Sequence, residues 1–359
     1  MLRYLEIKNE LLNMTSSMEP GQKLPDRVIL CKMLDTSRTT LDKAIRELVD
    51  QGILSSKKGS GTYVVGALDG AVDNAENWCV IIPNIMESVY SGLVKGISNV
   101  AQSRNANLIL CNSDNDSGRQ EQNIRRLLVS GVAGFIIVPV IANNPIENYQ
   151  LYSNLIKSDV PFIFCNRSVD GVSAPVVTSN DFYGGYIATK HLISKGYRHI
   201  AFMAKYKYRT SMDRCQGYIT ALLENNIQIN RRLIIVPAEG GQKLDCCKEM
   251  GRLLDEREEV DAVFCFNDDV AINVIKAVND HGKKVSDEIG VIGYDNSASC
   301  DTQTPKLTSI SYKNEEIGEK AANLLCDLCD NRPLSSEFEY YLFQPEIVER
   351  ESCLGLRSE

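Results

Sequence analysis

The chain has 359 residues, more than one ordinary core holds, so two or three folding units are expected. Hydrophobic residues at 43% and charged residues at 24% exclude a disordered or fibrous chain. No apolar run approaches the roughly 20 residues that span a bilayer, and a net charge of −8 argues against nucleic acid as the partner of the chain as a whole.

In chain order, the first residues break apolar character with charge too often for a secretory signal. The 12 cysteines are scattered, and Cys79, Cys111, Cys165 and Cys265 sit inside apolar strands, so the cytoplasm is the expected compartment. Leu24-Pro25-Asp26 opens a short helix. Ser37-Arg38-Thr39-Thr40 opens a second, with Leu41, Ala44, Ile45 and Leu48 on one face, and 51–54 closes it. A tight hairpin follows over 57–64, where Gly59 and Gly61 supply the positive φ of its tip. Helix, turn, helix and basic hairpin make a winged helix-turn-helix, whose second helix enters a major groove. Residues 1–66 carry ten Lys/Arg against eight Asp/Glu, which leaves −10 to the remainder. The basic charge of this module gathers at Arg38, Lys43, Arg46, Lys57 and Lys58, as on a DNA-binding head joined to a body that does not touch DNA.

Small and acidic residues at 67–76 read as a linker. Beyond it, short apolar runs at 79–83, 108–111, 134–138, 161–165, 200–203, 233–236, 262–266 and 290–293 alternate with amphipathic stretches such as 91–104. Apolar strands alternating with helices predict parallel sheets covered on both faces, a doubly wound α/β body. About eight strands over this length suit two lobes better than one sheet. Ligands of such folds sit beyond the carboxyl ends of the strands. Polar and aromatic residues recur there: Glu87, Ser88 and Tyr90, then Asn112 and Asp114, Asn166 and Arg167, Arg214, Asn267 and Asp268, and Asp295. Carboxylates and amides pair with neighbouring hydroxyls, Arg grips two oxygens and rings cover C–H faces, so the set suits a polyhydroxylated ligand. Any one of these residues is equally explained by a strand meeting a loop; the accumulation at one strand end favours a site.

Two family resemblances follow from particular motifs. Residues 1–66 resemble the GntR-type winged-helix head through Leu24-Pro25, Ser37-Arg38-Thr39-Thr40-Leu41, Leu48, Gly52-Ile53-Leu54 and Gly-Ser-Gly-Thr-Tyr-Val at 59–64. Residues 78–352 are similar to the LacI-type effector-binding body related to periplasmic sugar-binding proteins. The carriers are Gly-Tyr-Arg-His-Ile-Ala-Phe at 196–202, Arg-Cys-Gln-Gly-Tyr at 214–218, Asn-Asp-Asp-Val-Ala at 267–271, Ile-Gly-Val-Ile-Gly-Tyr-Asp-Asn at 289–296, Pro-Lys-Leu-Thr-Ser-Ile at 305–310 and Glu-Ile-Val-Glu-Arg-Glu-Ser at 346–352. The combination resembles the arabinose-repressor type of bacterial regulator. The resemblance implies a periplasmic-binding-protein-like domain over 77–352, with a first lobe at about 77–177 and 310–338 and a second at about 178–309 and 339–352.

It also implies roles. Arg38 matches the arginine that reads guanine from the recognition helix, and Ser37, Thr39 and Thr40 match phosphate-binding positions at its N-terminus. Lys43 joins that face, and Lys57, Lys58 and Gly59 lie against the backbone or minor groove. Val28 and Asp42 stand where the family has arginine, with Arg27 one residue earlier, which implies fewer phosphate contacts or an altered operator. In the body, Asn166, Arg214, Asn267, Asp295 and Tyr312 match ligand-facing positions and Tyr90 a stacking ring. Arg167 is common in sugar-reading members, and Asp181 lies near the first inter-lobe crossing, where it tunes the hinge. Arg214 has a competing reading as a structural partner of a carboxylate.

The bland readings prevail elsewhere. The pairs Cys326/Cys329 and Cys246/Cys247 have no second pair or adjacent histidine and read as buried helix cysteines rather than metal ligands. His191, His199 and His281 are far apart, and no nucleophile, cofactor motif or metal set is visible. The expectation is a homodimeric repressor of operator DNA that a small effector, a monosaccharide of arabinose type or another pentose or deoxyhexose, releases. A purine-like co-repressor is the rival, disfavoured by the Glu87/Arg167/Arg214 set and a scarcity of stacking rings. A transport binding protein and an enzyme are the rivals of other classes.

Overall fold

The computed structural model describes residues 3–15, 18–50, 52–57, 60–65, 75–141, 145–238, 243–256, 259–332 and 340–355. Two compact units divide it, Met1–Ala75 and Glu76–Glu359. The expected linker 67–76 lies outside the described residues except for its last two positions.

The first unit is built on α1 (Arg3–Thr15), α2 (Arg27–Met33), α3 (Arg38–Asp50) and the antiparallel pair β1 (Leu54–Lys57) and β2 (Gly61–Val64). Leu41, Ala44, Ile45 and Leu48 recur every three or four residues and form the buried stripe of α3. They pack on Leu24, Leu30, Leu54 and Val64, and on Ile7 and Leu11 of α1, a helix the sequence reading leaves unassigned. The hairpin is pinned to the segment before α2, because Leu24 N–H donates to Thr62 O and Val64 N–H donates to Gln22 O. Gly61, at φ +131°, provides the backbone geometry that the turn requires.

The second unit holds two six-stranded sheets. Its elements run β3 (Asn77–Ile82), α4 (Val89–Ser103), β4 (Asn107–Asn112), α5 (Ser117–Val129), β5 (Gly134–Ile137), α6 (Pro145–Lys157), β6 (Phe162–Cys165) and β7 (Val176–Ser179) in the first lobe. Then come α7 (Asp181–Ser194), β8 (Ile200–Met203), α8 (Arg209–Glu224), β9 (Ile234–Ile235), α9 (Cys246–Asp255), β10 (Ala262–Cys265), α10 (Asp268–Asp280), β11 (Gly290–Asp295) and β12 (Thr308–Ser311) in the second. The chain returns through α11 (Asn314–Cys329) and β13 (Tyr340–Phe343) and crosses again to β14 (Glu346–Val348). The sheet orders are β13-β7-β6-β5-β3-β4 and β14-β12-β11-β10-β8-β9. Both are parallel apart from β14. This is a two-lobed, doubly wound α/β body.

One lobe assignment changes. The sequence reading gives 339–352 to the second lobe, but β13 pairs with β7 of the first sheet, Tyr340 opposite Val176. Its alternating exposed and half-buried residues are those of an edge strand, and a parallel partner satisfies one row of its backbone groups. The three crossings therefore fall after β7, after β12 and after β13. The expected strand at 233–236 shrinks to β9, preceded by a 3₁₀ turn. The strands β7 and β12 to β14 are too short and too mixed to stand out by composition.

Apolar cores cover both faces of each sheet. One core runs through both lobes on the side of α4, α11, α7 and α8, and each lobe has a separate core on its other face. The helix pairs of the shared core cross at glycines. A Cβ at Gly185 would collide with the Arg214 carbonyl and one at Gly217 with that of Phe182; Gly96 and Gly318 meet Glu315 and Leu93 in the same way. Backbone cannot yield as a flexible side chain does. Gly217→Ala and Gly318→Ala are therefore expected to lower stability by about 1–3 kcal/mol or more, as a reduced urea midpoint.

Candidate functional site

In the first unit the proposed reading face is exposed. The Ser37 hydroxyl caps α3: Thr40 N–H donates to it at 3.2 Å, and it lies 2.9 and 2.8 Å from the Thr39 and Thr40 hydroxyls. Arg38 is 76% exposed, with only a 3.8 Å contact to Asp42 one turn on. Lys43 sits over the Tyr4 ring at 3.9 Å and Lys57 near Tyr63 at 5.7 Å, so both are partly occupied within the head. Lys58 and Gly59 lie outside the described residues. The departures at 28 and 42 have a structural explanation: Arg27 Nε donates to Asp42 Oδ1 at 2.6 Å and its Nη1 to the Thr62 hydroxyl at 3.0 Å. The acid on α3 is thus neutralised from α2, and Val28 is left exposed.

In the body, the strand ends converge on a cleft between the lobes. A cavity of about 240 Å³ is lined by Glu87, Tyr90, Asn166, Arg167, Arg214, Asn267, Asp295 and Tyr312, which are eight of the eleven expected effector residues. The other three stand apart. Ser88 opens α4 and lines a separate shallow recess. Asp268 is 1% exposed, accepting from the Ser309 hydroxyl at 2.6 Å and Ser297 N–H at 2.7 Å, and so ties α10 to β12. Asp181 lies behind the cavity as the partner of Arg214.

Arg214 is the centre of this arrangement. Its Nε donates to Asp181 Oδ1 at 2.7 Å and its Nη1 to the Phe266 carbonyl at 2.5 Å. The guanidinium lies 3.5 Å from the Tyr294 ring centre, 4.5 Å from that of Phe266 and 5.6 Å from that of Tyr312. Burial raises the Asp181 carboxyl above its usual range, and the Arg214 guanidinium opposes the shift by charge and by hydrogen bond. Both readings of Arg214 therefore hold geometrically: it braces the second lobe and lines the cavity.

Around it the cavity carries strained and undersatisfied groups. Asn166 and Asp295, at the ends of β6 and β11, have φ of +61° and +102°, conformations that Asn and Asp tolerate better than most residues. Asn166 Oδ1 is buried and finds no hydrogen-bond partner among the described residues. Burial raises Glu87 and raises Asp295 well above the usual carboxylate range, against the pull of Arg167 and Arg214 respectively. The buried, unpartnered Asn166 oxygen favours a ligand that brings a hydroxyl or N–H donor. Asn267 caps α10, its side-chain oxygen accepting from Val270 N–H at 3.0 Å, which leaves its amide N–H₂ for the cavity.

Sequence reasoning missed Asn84, Lys205, Tyr206, Tyr208, Thr210, Lys243, Phe266 and Asp269, which line the same cavity. The strand-end rule could have found Tyr206 and Tyr208, which follow β8 within a few residues. Rings are thus not scarce, contrary to the expectation. Some of their faces are taken: Tyr206 stacks on Tyr208 at 5.1 Å, Arg167 lies 4.2 Å from the Tyr208 ring centre and Arg214 4.5 Å from that of Phe266. Arg167 to Tyr208 spans the two lobes, as does Arg209 to Asp170 at 3.0 Å.

A winged-helix head and a two-lobed cleft body define a DNA-binding regulator with an effector domain. Residues 3–64 match the gntR family of bacterial regulatory proteins, and residues 189–353 match the periplasmic binding protein-like domain. The chain thus joins a head that matches the gntR family to a periplasmic-binding-protein-like body that is similar to those of LacI-type regulators. It is 26% identical to the arabinose metabolism transcriptional repressor of Geobacillus stearothermophilus, over 98% of this chain and 97% of that one. The repressor of the same description from Halalkalibacterium halodurans is 25% identical over 99% and 96%. A LacI family regulator from Enterococcus faecium, solved with bound ribose, superposes at a TM-score of 0.66 with 27% identity, over 79% of this chain and all of that one. These relatives are transcription regulators, and no helix among the described residues is long and apolar enough to cross a membrane.

Removing one member of the Arg214–Asp181 pair leaves a charge that is buried and unpaired. Arg214→Ala and Asp181→Ala are each expected to cost about 3–5 kcal/mol in urea unfolding. The double change Arg214→Met with Asp181→Leu should recover most of that loss.

Proposed function

We propose that this protein is a cytoplasmic, homodimeric transcriptional repressor that leaves its operator when a monosaccharide occupies the cleft lined by Glu87, Tyr90, Asn166, Arg167, Arg214, Asn267, Asp295 and Tyr312. The observation that carries the sugar reading is the grouping of the half-buried carboxylates Glu87 and Asp295, two arginines and the buried, unpartnered Asn166 oxygen in one small cavity. Hydroxyl groups both donate and accept, so one sugar ring can satisfy the acids, the amide and the guanidinium groups together. A purine co-repressor stacks on ring faces, and two rings of this cavity, Tyr208 and Phe266, already carry an arginine on one face. The whole-length likeness to arabinose repressors and the ribose-bound relative support the same class of ligand.

Release follows from geometry. Recognition helices of a dimer bind half-sites about 34 Å apart, so a small change in the angle between two bodies lowers specific affinity. The effector must bind the DNA-free form more tightly, commonly by about 1–3 kcal/mol. In a mobility-shift assay with DNA from upstream of the protein's own gene, one pentose or hexose of a panel should abolish the complex and raise the melting temperature of the free protein. Indifference to every sugar overturns the reading. Glu87→Ala should remove the sugar response and spare the DNA complex; Arg38→Ala should weaken that complex by about 1–3 kcal/mol and spare the response.

Arg38, Ser37, Thr39, Thr40, Lys43 and Lys57 form the proposed DNA face, with Lys58 and Gly59 assigned to it by resemblance. Asp42 places a negative charge on the reading helix and engages both Arg27 and Arg38. Asp42→Asn should therefore tighten binding and steepen its salt dependence by about one further phosphate contact, measured as the slope of log affinity against log salt.

A further inference from the structure

Helix α3 carries an acid at 42, where the family resemblance implies arginine, and the structure gives that acid two partners. Asp42 divides its carboxylate between them. Its Oδ1 accepts from Arg27 Nε at 2.6 Å, and its Oδ2 stands 3.8 Å from Arg38 Nε, one turn earlier on the same helix. Arg27 is itself held from the wing. Its Nη1 donates to the Thr62 hydroxyl at 3.0 Å, and that hydroxyl lies 3.0 Å from the hydroxyl of Ser56 on the paired strand. Thr62 is buried. A chain of contacts thus runs from the wing through α2 to the one side chain of α3 that is assigned to a base.

Arg38 and Asp42 differ in freedom. The Arg38 side chain is mostly exposed, whereas Asp42 is tied to a neighbouring helix. A long exposed arginine samples many rotamers, and reading a base confines it to one, at a cost in side-chain entropy. An acid already fixed beside Nε confines the guanidinium before DNA arrives, so less is lost on binding. With Nε given to the acid, Nη1 and Nη2 remain as the donor pair for O6 and N7 of a guanine. Arg27 offsets the negative charge, so the restraint comes with less repulsion of phosphate.

Resting on the reading role assigned to Arg38 above, we propose that Asp42 is a positioning residue for operator specificity, which holds the Arg38 guanidinium toward one guanine. Arg27 and Thr62 fix the acid in place. Relative to an arginine at 42, this chain exchanges a phosphate contact for discrimination at a base pair. Affinity for DNA in general does not depend on Asp42; preference for that base pair does.

The test uses the full-length, effector-free protein and a duplex that it selects from a random library, with each base pair of the site then replaced in turn. Relative affinities for the replacements give the discrimination at every position. Arg38→Ala identifies the base pair that Arg38 reads, as the one where discrimination collapses; a good bidentate contact discriminates by roughly 5- to 150-fold. Asp42→Ala and the nearly isosteric Asp42→Asn should each cut the preference at that same base pair by about fivefold or more. Both should leave the other positions unchanged and bind unrelated DNA at least as tightly as the parent protein. A thermal melt checks that they are folded. A preference that survives in the folded variants overturns the proposal and leaves the reading role of Arg38 intact. So does a loss spread evenly over the site, or a loss at another base pair, which makes Asp42 a base contact in its own right. If Arg38→Ala collapses discrimination nowhere, the reading role of Arg38 falls and the proposal falls with it.

Discussion

A guanidinium buried almost completely in a protein must be balanced on every side, and Arg214 is where this body meets that demand. Asp181 comes from the helix entered at the first lobe crossing, Phe266 and Tyr294 from the ends of neighbouring strands, and Tyr312 from just beyond the second crossing. One charge therefore collects groups from the hinge and from the cleft. Asp295, 4.0 Å away and half-balanced by Arg214, belongs to the same account. A ligand donor that reaches Asp295 or Asn166 changes the electrostatics of a group whose partners sit at the joint between lobes. Groups that line the cleft and a group at the joint between the lobes therefore share one partner, Arg214.

The head uses a smaller version of the same logic. An acid on a helix that faces DNA is unfavourable against phosphate, yet Asp42 is held by Arg27 from the neighbouring helix and approached by Arg38 from one turn away. Arg27 spends its charge on this task and braces the wing through Thr62. The result is a reading face with less net positive charge than a residue count suggests, and one whose affinity rests more on a few exposed side chains.

Ligand class turns on what the aromatic rings are doing. Five rings line the cavity, a number that would suit a planar base, and an arginine or a ring-on-ring stack occupies one face of Tyr206, Tyr208 and Phe266. The cavity's unmet hydrogen-bonding capacity lies in the buried Asn166 side-chain oxygen.

Local patterns in the sequence determined much of this protein. The spacing of Leu41, Ala44, Ile45 and Leu48, the glycines of the wing and the apolar runs of most central strands carry their signal within a few residues, because helix and strand periodicity is local. Seven residues singled out by the strand-end rule (Glu87, Tyr90, Asn166, Arg167, Arg214, Asn267 and Asp295), with Tyr312 singled out by resemblance, line one cavity. Tertiary structure alone decided the rest. The edge strand β13 and the short β14 are made by partners distant in sequence, so no local periodicity announces them, whereas helix α1 carries Tyr4, Ile7, Leu11 and Met14 at helical spacing. Asp268 and Asp269 are neighbours of one type, yet one is buried on Ser309 and the other faces the cleft, a difference set by which side of α10 meets β12. The pairings of Arg27 with Asp42 and of Arg214 with Asp181 are of the same kind, since opposite charges far apart along a chain become partners only when packing brings them within reach and excludes water between them.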